Sequence, residues 1–381
     1  MRRPRYLAPW HRNLLDASDL GEAEAEALAH LRGKPAIYHC VSRIVNRDFV
    51  LGREEKEHFV KLMRSYEHFS QVRVLTFCVM TNHFHILVET PSPPEDGGRS
   101  WSDERLLDHL AKLYSAPQLA KIRWELEHFR SQKNHPAAEA LRQKFFNRMW
   151  NLSAFMKVLK QRFTQWFNRK HERRGYLWEE RFKSVLVEDG HAARTIAAYI
   201  DLNPVRAGIV KNPEDYRWCG YAEAVAGKKI ARQGLRLVLF EKLSTHLSKQ
   251  QAAQSLPTWR EVVRQYRAIL LEDGEEPSAT ASSTSSNPSK SPPKAKAGIS
   301  RKRVAAILAK GGHLSEAQLL RCKVRYFLDG LVIGTERFVN GNFALTRSHF
   351  SAARSSGARK MRRIRSALRT MRDLRKTPVS T

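Results

Sequence analysis

Val79-Met80-Thr81-Asn82-His83-Phe84-His85-Ile86-Leu87-Val88 is the stretch on which the fold turns. Apolar and β-branched residues flank a Thr81-Asn82 pair that interrupts the run, so the segment after it reads as a β-strand. Residues two apart on a strand point to one face. His83 and His85 therefore project together, and Phe84 and Ile86 pack behind them. Two imidazoles whose spacing is set by a sheet can chelate one metal ion. Taken alone the pair fits two half-exposed histidines on a polar face somewhat better, because a two-residue metal signal is weak.

The neighbouring segments supply the fold. Residues 36–45 read as a first strand. Residues 53–69 read as an amphipathic helix, with Phe59, Met63, Tyr66 and Phe69 at helical spacing. Residues 71–80 and 83–89 read as two further strands that pair with each other. Strand, helix, strand, strand opens a ferredoxin-like split βαβ unit, so the expected class is α+β: an RRM-like antiparallel sheet with packed helices. After the Pro- and Gly-rich break at 91–98, a helical insertion is expected to reach residue 149. Residues 151–170 carry one apolar stripe (Leu152, Phe155, Met156, Leu159, Phe163, Trp166, Phe167), which reads as core. A strand at 182–187 and a helix from 191 or 192 to 202 follow. The helix stops there because Pro204 disfavours helical geometry at Asn203. Asn203-Pro204 then reads as an N-cap with proline at the first helical position, and Gly208 as the stop.

The expected organisation is a polar lead-in at 1–34 with a short helix over 22–31, a main domain at 35–230, and a helical extension at 231–272. Residues 273–299, rich in Ser, Pro and Ala, read as a linker. Residues 300–381 read as a small basic, mainly helical module with helices at 301–310 and 315–328 and a further element over 338–350. That module fits a helix-turn-helix-like DNA-binding unit, an RNA-contacting tail or a merely solvated one.

Charge points to the partner. The chain has 67 Lys and Arg against 38 Asp and Glu, a net charge of +29. Such an excess implies a polyanionic ligand, nucleic acid first. No apolar run approaches the ~18 residues of a membrane span, so no membrane is expected. Cys40, Cys78, Cys219 and Cys322 form no Cys-x-x-Cys pair, which suggests neither a zinc knuckle nor a disulfide framework and fits a reducing cytoplasm.

A metal on two histidines lacks a nucleophile and further ligands. Among the tyrosines, Tyr199 lies in the last turn of the 191–202 helix, four residues before Asn203, and that spacing puts both on one helix face. A phenol and an amide oxygen could then approach the histidine face, and an amide oxygen is a competent ligand for Mg²⁺ or Mn²⁺. Tyr199 as an ordinary buried residue and Asn203 as a simple cap remain open on the residues alone.

Three motifs in this order carry a resemblance. They are Asn82-His83-Phe84-His85-Ile86-Leu87-Val88, then Gly175-Tyr176-Leu177-Trp178-Glu179-Glu180-Arg181-Phe182-Lys183-Ser184, then Ala198-Tyr199-Ile200-Asp201-Leu202-Asn203-Pro204-Val205-Arg206-Ala207-Gly208. Together, over about residues 35–225, they resemble REP-associated tyrosine transposases, relatives of the single-strand insertion-sequence transposases of the HUH superfamily. The resemblance implies His83 and His85 as ligands of a divalent metal (Mg²⁺ or Mn²⁺), Asn203 as third ligand and Tyr199 as nucleophile. It implies cleavage and rejoining of single-stranded DNA, with imperfect hairpins as substrate, through a 5′-phosphotyrosine link and a free 3′-hydroxyl. The link conserves the phosphodiester, which agrees with the absence of a Walker-type glycine loop. Arg181, Lys183, Arg206, Lys160 and Arg162 are candidate phosphate contacts. A cytoplasmic, nucleoid-associated monomer is expected, with a dimer as the alternative. The insertion at 91–149 and the C-terminal extension go beyond compact members of the family. Two other classes compete: a non-catalytic protein that binds DNA hairpins on the same fold, and an RNA-binding protein. The sheet lacks the paired aromatics that the second would use.

Overall fold

The computed structural model describes residues 6–11, 22–31, 33–239, 258–271, 325–362, 364 and 366–373. β1 (Ala36–Arg43), α2 (Arg53–Ser70), β2 (Arg73–Val79) and β3 (His83–Thr90) follow α1 (Glu22–Leu31) in the order that the alternating pattern predicts. The sheet runs β2-β3-β1 and continues into β4 (Lys183–Val187). All three pairings among these four strands are antiparallel, with Val41 opposite His85 and Arg43 opposite His83 in the β1–β3 pair. This is the strand order of a split βαβ unit, and the chain is α+β.

Strand alternation sorts the side chains into two cores. Tyr38, Cys40, Phe84, Ile86 and Val88 join one cluster; Ile37, Leu75, Cys78 and Leu87 join the other. The first is roofed by α2 and α6 (Leu152–Lys170), whose Phe59 and Phe163 rings lie 5.2 Å apart while Phe59 meets Phe84 at 4.7 Å. The stripe of 151–170 is core, as its spacing predicts. The second cluster is roofed by α7 (His191–Asp201), whose Ala192, Ala193, Ala197 and Ala198 keep the helix close to the strands, and by α9 (Gly220–Val225) and α10 (Lys229–Leu239). The histidine face is therefore a covered face with both sheet surfaces buried.

The insertion forms α3 (Asp103–Leu110), α4 (Ala116–Ser131) and α5 (His135–Phe146). It is fastened to the end of α2: His109 Nε2 lies 3.0 Å from the Phe69 carbonyl, and the Trp150 amide donates to the Ser70 carbonyl at 2.7 Å. The buried Arg142 guanidinium donates to Asp103 and to the Arg99 and Trp101 carbonyls, which pins α5 to the start of α3.

Three expectations change. The lead-in is not merely polar, because Tyr6 and Ala8 are buried and the Tyr6 hydroxyl donates to Asn342 Oδ1 at 2.8 Å. The boundary expected at 230 falls inside α10, which packs directly on β2. Residues 325–373 are not set apart from the sheet. After α11 (Trp259–Leu271) and α12 (Tyr326–Asp329), β5 (Val332–Gly334) pairs parallel with β4, and β7 (Arg369–Met371) and β6 (Arg359–Lys360) complete a seven-stranded sheet in the order β2-β3-β1-β4-β5-β7-β6. α13 (Glu336–Ala344), where 338–350 was expected to hold an element, is capped by Thr335, itself held by the Glu188 carboxylate. Charge and short helical patterns dominated the sequence reading here and hid strands of two and three residues. The expected helices at 301–310 and most of 315–328, and the linker at 273–299, lie outside the described residues.

Gly234 fixes how close α10 comes. A Cβ there would lie 2.5 Å from the Leu75 carbonyl oxygen and 2.9 Å from Leu75 Cα. Both contacts are backbone and cannot swing aside. Gly234→Ala gains helix propensity of about 1 kcal/mol, yet is expected to destabilise the fold by about 1–3 kcal/mol through overpacking. Denaturant unfolding decides: a variant as stable as the parent contradicts this packing.

Candidate active site on the histidine face

β3 delivers His83 and His85 to one face, as alternation demands, and Phe84 and Ile86 to the other. His83 is half-buried and His85 is buried, with ring centroids 5.1 Å apart. α7 lies over this face and delivers Tyr199, whose ring sits edge-on to His85 at 6.3 Å. The tyrosine singled out from sequence therefore meets His85, the buried member of the pair.

Tyr199 is 2% exposed, and its ring is held from four sides. His85 and His39 lie edge-on at 6.3 Å each, Phe327 of α12 at 5.0 Å, and the Arg206 guanidinium lies 4.0 Å from the ring centroid. Arg206 also donates to the Tyr199 carbonyl at 2.7 Å. It is thus a partner of the tyrosine, an arrangement that the sequence did not indicate.

Asn203 is not the N-cap. Leu202 takes that position, and Asn203 opens the short helix α8 (Asn203–Arg206), with Gly208 at φ +69° as the stop. The Asn203 amide nitrogen donates to the Ile200 carbonyl at 3.2 Å and leans on the Tyr199 carbonyl at 3.4 Å. The amide nitrogen is thereby engaged with the backbone, and the amide oxygen is the atom that could serve a metal. Among the described residues no group of three or more His, Cys, Asp or Glu could hold a metal ion.

Each histidine is oriented by a hydrogen bond at Nδ1. The Asn82 amide nitrogen donates to the Arg47 carbonyl at 3.0 Å, so its oxygen faces His83 Nδ1 at 2.7 Å and accepts from it. The lone pair of His83 is then on Nε2. Arg47 and Asn46 have φ of +63° and +55°, two consecutive left-handed non-glycine residues. That local cost, of order 1–3 kcal/mol each, is what turns the Arg47 carbonyl toward Asn82. His85 Nδ1 lies 2.9 Å from His39 Nε2, and His39 Nδ1 lies 2.8 Å from the Phe327 carbonyl.

Sequence reasoning passed over His39 and Phe327. The signal for His39 was present: alternation along 36–43 puts Ile37, His39 and Val41 on one face, and antiparallel pairing with 83–90 makes it the histidine face. Phe327 gave none, since only the added strand β5 brings α12 beside β1 and β4.

The remaining candidates separate. Arg181 and Lys183 line a cavity of about 380 Å³ with Arg43, Arg47 and Arg325. The cavity also includes Val41, so it lies alongside the residues that face His83 and His85 across the strand pair. Its five cations face three carboxylates, Glu179, Glu180 and Asp329. Lys183 is shared between Glu180 at 3.2 Å and Asp329 at 3.4 Å. Lys160 and Arg162 sit on α6, across the sheet. Lys160 donates to the Glu180 carbonyl at 2.8 Å, a tie that holds the 175–182 segment, and Trp178 of that segment meets Phe84 at 5.3 Å.

Burial governs the electrostatics. It pushes the His39 imidazole down to about 4, partly offset by the Phe327 carbonyl, and Arg206 pushes in the same direction as burial. His85 is held well below 6.5 by burial and then by the neighbouring His83, His39 and Arg206. Both are neutral, the form in which an imidazole binds metal.

The family model described as "Transposase IS200 like" matches residues 34–95, the span from β1 through β3 that carries His39, His83 and His85. A solved structure titled "Structure of the REP associates tyrosine transposase bound to a REP hairpin" is similar over 56% of this chain and 90% of that one, with 14% identity and a TM-score of 0.33. A search of curated proteins returns no match. No helix among the described residues is long and apolar enough to cross a membrane.

The neutral buried histidines have a measurable consequence. A folded pKa below the unfolded one means that the unfolded chain takes up protons first, so the contribution is whole above about 6.5 and is lost as pH falls toward 4. Asp201, pushed up to about 7 by burial, acts in the opposite sense, so a comparison between two proteins is needed. Between pH 6.5 and 4.5 the metal-free parent should lose about 2 kcal/mol more stability than His39→Gln. Equal losses in denaturant melts across this range contradict a neutral, buried His39.

Proposed function

We propose that this chain is a metal-dependent tyrosine transposase or endonuclease that cleaves and rejoins single-stranded DNA, with hairpin-forming sequences as its substrates. The observation that carries this reading is the contact of the Tyr199 ring with His85, which shares its strand face with His83, the two imidazoles being oriented alike with their protons on Nδ1. The match of residues 34–95 to IS200-like transposases supports it.

His83 and His85, through Nε2, and Asn203, through its amide oxygen, are the residues that would hold the divalent ion. Imidazole nitrogens with one neutral oxygen suit Mn²⁺ as well as Mg²⁺. Such an ion, when bound, neutralises charge that builds on the scissile phosphate oxygens.

The chain's own residues do the rest. The cavity lined by Arg43, Arg47 and Arg181 suits the phosphate backbone on the approach to the site. The Tyr199 oxygen attacks phosphorus and loses its proton; an O–P bond forms, the P–O3′ bond breaks, and the departing 3′ oxygen takes up a proton. The products are a 5′-phosphotyrosine and a 3′-hydroxyl. Attack by a 3′-hydroxyl on that link reverses the sequence, restores the phosphodiester and returns a proton to the tyrosine, so no nucleotide triphosphate is consumed. The four-sided clamp on the Tyr199 ring contributes by fixing its line of attack in advance.

The test uses labelled single-stranded hairpins from repeats flanking the gene, incubated with Mn²⁺, Mg²⁺ or EDTA. A covalent protein–DNA adduct is expected with either metal, lost with EDTA and absent in Tyr199→Phe, which should still bind the hairpin within about threefold of the parent because the phenol oxygen adds little to ground-state binding. Tight binding without an adduct in the parent protein would replace this reading by that of a hairpin-binding module. A second variant, Arg206→Ala, unclamps the tyrosine and should lower the adduct-forming rate about 10²-fold with hairpin affinity changed far less.

A further inference from the structure

We infer that His39 is a positioning residue: with the Phe327 carbonyl it forms a two-imidazole relay that fixes the tautomer and direction of His85, so that the C-terminal segment sets the geometry of the metal-facing nitrogen. The inference rests on the reading of His85 as a metal ligand given above, and it adds a residue and a segment that reading does not use.

One atom in this chain of contacts has a fixed role. The Phe327 carbonyl can only accept, so His39 Nδ1, at 2.8 Å, carries the hydrogen. A neutral His39 then has its lone pair on Nε2. His85 Nδ1, at 2.9 Å from that nitrogen, must donate to it. His85 is left with its lone pair on Nε2, the same atom as in His83. The two rings lie at only 22° to each other, which keeps the shared hydrogen near the plane of the accepting lone pair.

Two features separate this from an ordinary buried histidine. His39 is 0% exposed, and a hydrocarbon of its size would fill that volume without the cost of desolvating two nitrogens. Both of its nitrogens are satisfied, one by the ligand and one by the backbone. The second feature is the parallel with His83, whose Nδ1 is also held by a chain ending on a backbone carbonyl, that of Arg47 through Asn82. Two unrelated segments, 46–47 and 327, thus impose one tautomer on the two histidines. Outer partners of this kind matter to metal affinity by about 10–100-fold in metal sites generally.

The acceptor reaches His85 from 288 positions away in the chain from His39, through α12 and the strand β5 that adds to β4. Among the described residues no carboxylate takes part in the relay, so its effect is one of direction and tautomer.

The first test is made on the metal-free, full-length protein labelled with ¹⁵N-histidine. Long-range proton–nitrogen correlation should show His39 and His85 each protonated at Nδ1 and bare at Nε2. His85 found with its proton on Nε2 overturns the inference. The second test compares His39→Leu, which removes the acceptor, with His39→Gln, whose amide oxygen can replace it. In His39→Leu the His85 proton should shift toward Nε2 and Mn²⁺ affinity, read by calorimetry, should fall 10–100-fold; in His39→Gln the tautomer should persist and affinity should stay within about threefold. Unchanged Mn²⁺ binding in a folded His39→Leu overturns the inference. Should that variant fail to fold, the parent tautomers and His39→Gln still decide. Failure of the relay leaves the Tyr199 adduct intact, whereas loss of the adduct leaves the tautomers as predicted, so the two readings fail separately.

Discussion

The pairing of β1 with β3 is the constraint on which the rest of the structure depends. Its register sets Val41 opposite His85 and Arg43 opposite His83, and a slip of one residue would turn every side chain on one strand to the other face. Register is held from both sides. Phe84 and Ile86 are buried under α2 and α6 while Leu87 and Ile37 are buried under α7 and α10, so neither face can be exchanged for the other without exposing a core. Because the same pairing places His39 diagonally across from His85, packing energy indirectly fixes the direction of a lone pair.

Around that pairing the chain arranges three supports for the histidine face, each from a distant part of the sequence. The strained turn at Asn46 and Arg47 holds Asn82 and through it His83. α7 and α8 bring Tyr199 and Arg206, with Asp201 anchoring α7 by accepting from Thr76 at 2.8 Å and from Tyr266 at 2.6 Å. The C-terminal strands bring Phe327. The alanines of α7 and the glycine of α10 allow the close approach that makes these contacts short.

Much of this was legible in the sequence, for physical reasons that differ by element. Two-residue alternation in 36–43 and 83–90 and the 3.6-residue stripes of α2 and α6 are strong because burial enforces them on one whole face. Tyr199 was placed on the histidine face by helical spacing and by the resemblance together, whereas Asn203 falls past the end of α7, in the short helix α8. The insertion helices were visible as periodic segments, although nothing in them indicated that they would be fastened to the end of α2. What was hidden were the features made by long-range pairing: β5, β6 and β7 are two or three residues long and carry too few positions to show a period. A basic tail dense in Arg and Lys gave no hint that Val332, Ile333 and Met371 complete a core. Lys160 illustrates the limit for charge. From sequence it is a plausible phosphate contact; in the fold it holds a backbone carbonyl on the side of the sheet away from the tyrosine.

The proposed function requires His83 and His85 to present a common ligand atom beside Tyr199. The most direct measurement is anomalous diffraction from crystals of the full chain soaked in Mn²⁺. A single strong peak within bonding distance of both Nε2 atoms, on the side of the Asn203 amide oxygen, is the predicted result. A peak at an Nδ1 atom, or manganese bound elsewhere with the histidine pair bare, would contradict a shared site on these two histidines.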